Sequence, residues 1–220
     1  MKIGQPLLFL GERMRVWVYI DGFNLYYRAL KRSRHKWLNP ESLARLLIAE
    51  DDVILGLRYF TARISSRAGD PSAPRRQQIY LNALSTLDNI RVHYGRFLTK
   101  TKYRPTVADP EKFVEVFDTE EKGSDVNLAA FLLNDGFRDR YDAALVMSQD
   151  TDLCEPLRMV RNDLNKKVGL VWLDGTAPGK RMRQVASFVR HATPARLAKA
   201  QFPDELMGRN GHIVRRPSEW

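Results

Sequence analysis

Arg15-Val16-Trp17-Val18-Tyr19-Ile20-Asp21-Gly22 decides how the rest of the chain is read. The first six residues are β-branched or aromatic and apolar nearly throughout, and the run then stops at an acid and a glycine. A strand with one face in water alternates polar and apolar residues. This one does not, which suits a strand of a parallel sheet covered on both faces. Asp142-Ala143-Ala144-Leu145-Val146-Met147 reads the same way and also runs into acids, in Ser148-Gln149-Asp150-Thr151-Asp152. Val53 to Ile64, Ile90 to Leu98 and Lys167 to Leu173 supply further strands. Helical spacings fall between them: Phe23 to Leu30, a segment opened by Asn39-Pro40-Glu41, Arg75 to Leu87, Asp125 to Leu133 and Leu153 to Val160. Asn followed by Pro is a good helix opening, because the amide side chain caps free N–H groups and Pro needs none. Strands alternating with helices predict βαβ units and an α/β fold.

A chain of 220 residues suits one such domain with a sizeable core. Residues 1–13 read as a peripheral extension and 14–201 as the domain. Residues 99–116, polar, basic and broken by proline, read as an arm or loop insertion, with Phe113 to Phe117 returning as a short strand. Residues 202–220 read as a tail. The single cysteine, Cys154, excludes a disulfide framework and a Cys-rich zinc site within the chain, fits a cytoplasmic location, and is expected in the core. The apolar run Leu7 to Leu10 is far shorter than the roughly 20 residues of a membrane span, so no membrane partner is expected. A net charge of +10 favours a polyanionic partner, nucleic acid being the commonest. Arg28, Lys31, Arg32, Arg34 and Lys36 form a basic run ending at Trp37. It is either a solvated loop or a phosphate-tracking arm with an aromatic for stacking.

In parallel α/β sheets the site lies beyond the carboxyl ends of the strands, at a topological switch point. Asp21 and Asp150 both fall just past predicted strands. Lys122-Gly123-Ser124-Asp125-Val126-Asn127-Leu128 sets a further carboxylate in the first turn of a helix, where the helix dipole favours it. Hard divalent cations take oxygen ligands, and phosphodiester chemistry with two ions needs several carboxylates. Asp21, Asp125, Asp150 and Asp152 supply that number. Taken singly, each has a plainer reading as a turn, a cap or a helix-end charge. Other chemistry is poorly supported: there is no P-loop spacing and no Gly-x-Ser-x-Gly elbow. His35, His93, His191 and His212 stand apart from one another.

The stretches Tyr19-Ile20-Asp21-Gly22-Phe23-Asn24-Leu25-Tyr26, Glu121-Lys122-Gly123-Ser124-Asp125-Val126 and Ser148-Gln149-Asp150-Thr151-Asp152-Leu153 together resemble the bacterial NYN domain family. That family is a branch of the PIN-like ribonucleases and includes the LabA-like proteins. The resemblance covers roughly residues 14 to 201. It implies a three-layer α/β/α sandwich with a central, mostly parallel sheet and a ribonuclease site dependent on Mg²⁺ or Mn²⁺. Asp21, Asp125, Asp150 and Asp152 then take the metal-binding places. Asn24, Lys122 and Ser148 take positions near substrate, and Arg28, Arg32, Arg75 and Arg76 are the candidates for guiding a phosphate backbone. The implied partner is RNA, single-stranded or structured, and a homo-oligomer is compatible with the sequence. Two departures stand out. The third motif reads Ser-Gln-Asp in place of Ser-Gly-Asp, which puts the Gln149 side chain beside the metal pocket and would alter access. The arm at 99–116 lacks the cysteines that many relatives carry. Two other readings stay open: a non-catalytic RNA- or protein-binding scaffold, and a metal-dependent phosphohydrolase acting on a small molecule.

Overall fold

The computed structural model describes residues 13–220. The N-terminal extension and Leu7 to Leu10 lie outside the described residues, Arg13 excepted. In chain order the elements are β1 (Arg15–Asp21), α1 (Gly22–Leu25) continued by a π-helical turn (Tyr26–Leu30), α2 (Pro40–Arg45), β2 (Val53–Thr61), α3 (Ala73–Leu84), β3 (Ile90–Tyr94), β4 (Arg96–Pro105) and β5 (Phe113–Lys122). Then come α4 (Ser124–Phe137), β6 (Ala143–Met147), a 3-10 turn (Thr151–Leu153), α5 (Cys154–Asn162), β7 (Lys167–Trp172), α6 (Lys180–Val185), β8 (Phe188–His191), α7 (Pro194–Lys199), β9 (Glu205–Met207) and β10 (Ile213–Arg215).

Six strands form one sheet in the order β3-β2-β1-β6-β7-β8, and every neighbouring pair is parallel. From β1 the chain winds outward to β2 and β3. It then returns to lay β6 on the other side of β1 and winds outward the opposite way. The direction reverses between β1 and β6, so the crevice predicted for α/β folds opens at their carboxyl ends.

Successive residues along each strand face opposite sides of the sheet, and each side buries its own core. Val18, Ile20, Leu57 and Leu145 pack with Leu25, Leu43 and Leu84 on one side. Tyr19, Phe60, Val146 and Leu170 pack with Leu128 and Leu132 of α4 and Leu157 of α5 on the other. The result is a three-layer α/β/α sandwich, with α1, α2, α3 and α7 on one face and α4, α5 and α6 on the other. Cys154 is buried and unpaired, as expected of a small core residue. No helix among the described residues is long and apolar enough to cross a membrane.

Four readings are corrected. The strand expected over Ile90 to Leu98 is broken at Gly95, and the arm expected over 99–116 is ordered: β4 and β5 are ten-residue strands paired from Arg96–Lys122 out to Pro105–Phe113. The tail at 202–220 is docked. Phe202 and the terminal Trp220 sit 5.8 and 6.2 Å, ring to ring, from Trp37. Trp37 is therefore not a stacking residue for a ligand; it is fully buried, and its indole N–H donates to the Pro203 carbonyl at 2.8 Å.

Candidate metal centre

Asp21 ends β1, and the chain turns at once into α1. A Cβ on Gly22 would stand 2.6 Å from the Tyr59 ring and 2.8 Å from the Phe60 carbonyl oxygen. Only glycine lets the helix start this close to β2. Asp21 caps that helix, one carboxylate oxygen accepting from the Asn24 N–H at 2.9 Å. The other accepts from the Ser148 hydroxyl at 3.1 Å, which ties the ends of β1 and β6 together. The Asp21 side chain is almost wholly buried. Burial raises its pKa, the hydrogen bonds from Asn24 and Ser148 draw it back, and the charge of Asp150 adds to the rise.

Ser148 also accepts from the Asp150 N–H at 3.1 Å, and Asp150 in turn caps the 3-10 turn by accepting from the Asp152 N–H at 2.9 Å. One small hydroxyl thus sets the positions of two acids. α4 begins differently. Gly123 has φ +103°, a left-handed conformation that suits glycine, and it lets β5 turn directly into the helix. The Ser124 hydroxyl and N–H both donate to one oxygen of Glu121, at 2.9 and 3.3 Å. Asp125 follows in the first turn. Its carboxylate reaches solvent, yet its pKa rises to about 6. The surrounding wall excludes much of its water, and the charges of Asp21, Asp150, Glu121 and Asp152 all oppose ionisation.

Asp21, Asp125 and Asp150 line one cavity of about 610 Å³, together with Asn24, Glu121 and Ser124. Asp152 is exposed and stands off the lining. None of the four aspartates has a Lys, Arg or His partner within ion-pair distance among the described residues. Uncompensated carboxylates that repel one another are the donor chemistry of a hard cation. As they stand, however, no three His, Cys, Asp or Glu side chains among the described residues are arranged to hold an ion. One ion would therefore touch at most two of these carboxylates, with water and phosphate oxygens completing its shell, as magnesium commonly accepts.

The other sequence candidates divide. Asn24 lines the cavity, and its side-chain oxygen accepts from the Gln149 N–H at 3.1 Å and from Arg28 at 3.0 Å. Ser148 is fully buried and holds Asp21 in place, so it does not face substrate. Lys122 points away to Glu120, at 2.5 Å. Arg28 bridges Asn24 to Asp174 at the cavity's edge. Arg32 and Arg75 are exposed and off the lining. Arg76 lines the cavity but pairs with Asp70 at 2.5 Å. Gln149 does not enter the pocket. Its amide turns aside, donating to Asp174 at 3.1 Å and accepting from the Leu173 N–H at 3.0 Å, so it braces β6 against the end of β7. Sequence reading missed Glu121 and Asp174. Glu121 stood in the quoted motif, and its spacing three residues before Ser124 was the available signal. Nothing local marked Asp174.

A parallel sheet covered by helices on both faces, with acids gathered at its switch point, is a three-layer α/β/α fold of the PIN-like kind. Within it, this chain belongs to the NYN domain family, whose model matches residues 15–192. The chain is 27% identical over 242 residues to 6-hydroxy-3-succinoylpyridine 3-monooxygenase HspA of Pseudomonas putida (strain DSM 28022 / S16), a match spanning 96% of this chain and 76% of that protein. It is similar in fold to VPA0982, a protein of unknown function from Vibrio parahaemolyticus RIMD 2210633. The TM-score is 0.53 at 12% identity, covering 87% of this chain and 98% of the other.

Proposed function

We propose that this protein is a metal-dependent ribonuclease. The observation that carries the reading is the set of carboxylates without cationic partners, Asp21, Asp125 and Asp150, on one cavity at the β1–β6 switch point. Membership of the NYN family supports it. Asp21 and Asp150 would hold a Mg²⁺ or Mn²⁺ ion, and Asp125 and Asp152 would complete its shell directly or through water. When bound, such an ion neutralises phosphoryl oxygens and makes water a better nucleophile. The chain's own part is positioning. Ser148 and the Asn24 N–H fix Asp21, Ser148 and the 3-10 turn fix Asp150, and Gly123 aims Asp125. Labelled mixed-sequence single-stranded RNA incubated with Mn²⁺, with Mg²⁺ and with EDTA tests this. Cleavage is expected only with metal, and none from Asp125→Asn. RNA bound but uncut, equally by both proteins, would instead support a non-catalytic scaffold.

A second reading is favoured by two observations. A cavity of about 610 Å³ is the size of a small-molecule site, and the match to HspA spans nearly the whole chain. On this reading the same carboxylates serve chemistry on a small aromatic substrate. Turnover of 6-hydroxy-3-succinoylpyridine with dioxygen and a two-electron donor supplied, and with RNA left intact, would displace the nuclease reading.

A further inference from the structure

The β4–β5 hairpin has two unlike faces. Successive residues of a strand alternate sides, and residues directly opposite across an antiparallel pair share a side. The register sets Leu98 opposite Glu120, Lys102 opposite Val116 and Arg104 opposite Val114. That face is finished. Lys102 pairs with Glu120 at 2.8 Å and also with Asp118, Arg104 reaches Asp118 at 3.4 Å, and Val116 among them is half-buried.

The other face is left open to solvent. It sets Thr99 opposite Thr119, Thr101 opposite Phe117, Tyr103 opposite Glu115 and Pro105 opposite Phe113. Tyr103, Phe113 and Phe117 are 68%, 59% and 83% exposed. Tyr103 stands diagonal to both phenylalanines, a spacing that aromatic side chains span, so the three make one patch. Side chains of this kind bury about 150–250 Å² each, so at these exposures the three leave roughly 300–500 Å² uncovered. That is as large as the largest apolar patch expected on a monomer. It is also about half of the roughly 800 Å² that each partner buries in a stable complex, before the threonines and Pro105 are added.

Nucleic acid is a poor fit to this face. At its base Phe97 and Glu121 line the cavity, and Phe97 meets the Phe23 ring at 5.7 Å, so a strand leaving the cavity would pass along it. Yet the face holds no Lys or Arg, and its charges are Glu115 and Glu121. Surfaces that stack single-stranded bases combine aromatic rings with cations. Exposed rings with few charges are instead the composition of a protein interface core. A two-stranded ribbon is also marginal in water without a layer packed on it, and a second copy is the one protein partner always at hand. The face complements itself. Two hairpins set antiparallel about a two-fold axis at Thr101 and Phe117 bring Tyr103 and Glu115 of each against Thr99 and Thr119 of the other. Glu115 then meets hydroxyls, and no like charges oppose one another.

We propose that this face is the interface of a homodimer, with two hairpins packed face to face through Tyr103, Phe113 and Phe117. The interface is independent of the reaction at the cavity. Sedimentation equilibrium of the full chain over about a hundredfold range of micromolar concentration tests it. The mass should rise toward twice 25.4 kDa. The double variant Tyr103→Thr, Phe117→Thr changes exposed side chains to a residue that strands accept. It should melt as the wild-type monomer does and should weaken self-association about a hundredfold or more. Phe137→Ser, at a ring 82% exposed at the end of α4, should leave the dimer intact. A wild type that stays monomeric, a dimer undiminished in the double variant, or one lost equally in Phe137→Ser would overturn the proposal. So would single-stranded RNA, added in EDTA, that binds a monomeric wild type and is released by the double variant, which would assign the face to nucleic acid.

Discussion

Asp125 holds its proton up to about pH 6 because partial burial strips water from its carboxylate and because the charges of Asp21, Asp150, Glu121 and Asp152 oppose ionisation. An aspartate in the unfolded chain titrates near 3.8, so the folded chain binds this proton more tightly. Its contribution to folding is favourable at low pH and is lost as pH rises through the window from 3.8 to about 6. Buried Asp21 shifts in the same direction. In EDTA, Asp125→Asn should raise the thermal midpoint at pH 7 and change it far less at pH 5, where the wild-type Asp125 already holds its proton. The comparison is between the two proteins at each pH, because His93, whose pKa burial lowers to about 4, drives the overall midpoint the opposite way. Identical midpoints for variant and wild type at pH 7 would argue against the crowding described. Gly22 is the other sensitive residue. Gly22→Ala must displace the Tyr59 ring or the Phe60 carbonyl, at about 1–3 kcal/mol in urea unfolding. At this scale the sequence showed which acids matter, because acids at strand ends are a local pattern. It did not show where Gln149 points, since the Asp174 carboxylate that draws it is met only in the folded chain. Lys122 turns to Glu120, two residues back along the same strand, a local pairing that the motif reading passed over.

α4 carries Asp125 at one end and is pinned to the sheet by a buried ion pair near the other. Asp135, fully buried, accepts from Arg58 at 2.6 and 3.0 Å, from the Tyr19 hydroxyl at 2.9 Å and from Arg140 at 2.9 Å. Arg58 also lies over the rings of Trp17 and Phe131. Losing one partner strands the other charge out of water, so Asp135→Ala should cost about 3–5 kcal/mol by chemical denaturation. A loss under 1 kcal/mol would mean that packing alone holds α4. The β4–β5 hairpin is the opposite case. Tyr103 and Phe117 are 68% and 83% exposed, and among the described residues no other strand pairs with the hairpin. Amide hydrogen exchange should be faster in its outer rungs than in β1 or β6. These contrasts explain what could be read. β1 and β6 are buried on both faces and announce themselves as apolar runs. The hairpin strands bury neither face fully, so no period marked their full length. β8 was hidden in a basic segment, and the C-terminal residues dock through aromatic contacts with Trp37 and Tyr80 far away in sequence.

The whole molecule combines a net charge of +10 with a cavity lined by three aspartates, Asp21, Asp125 and Asp150, that have no cationic partner among the described residues. A polyanion is attracted to the surface and repelled at the centre unless a cation sits there. RNA binding should therefore fall about tenfold or more between 50 and 200 mM salt, as expected when several phosphates release counterions. Salt-independent affinity would instead point to a small-molecule ligand. The fold class followed from alternating strand and helix patterns, and the switch point followed from the fold. What no pattern along the chain conveyed was the cavity, because its lining comes from segments as far apart as Asp21 and Trp220. The most direct measurement is titration of the purified protein with Mn²⁺ at neutral pH, followed by the paramagnetic resonance of the free ion. Saturable uptake is expected, weakened about tenfold or more in each of Asp21→Asn, Asp125→Asn and Asp150→Asn. No uptake by the wild-type chain, or equal uptake by all three variants, would contradict a metal centre at the β1–β6 crevice.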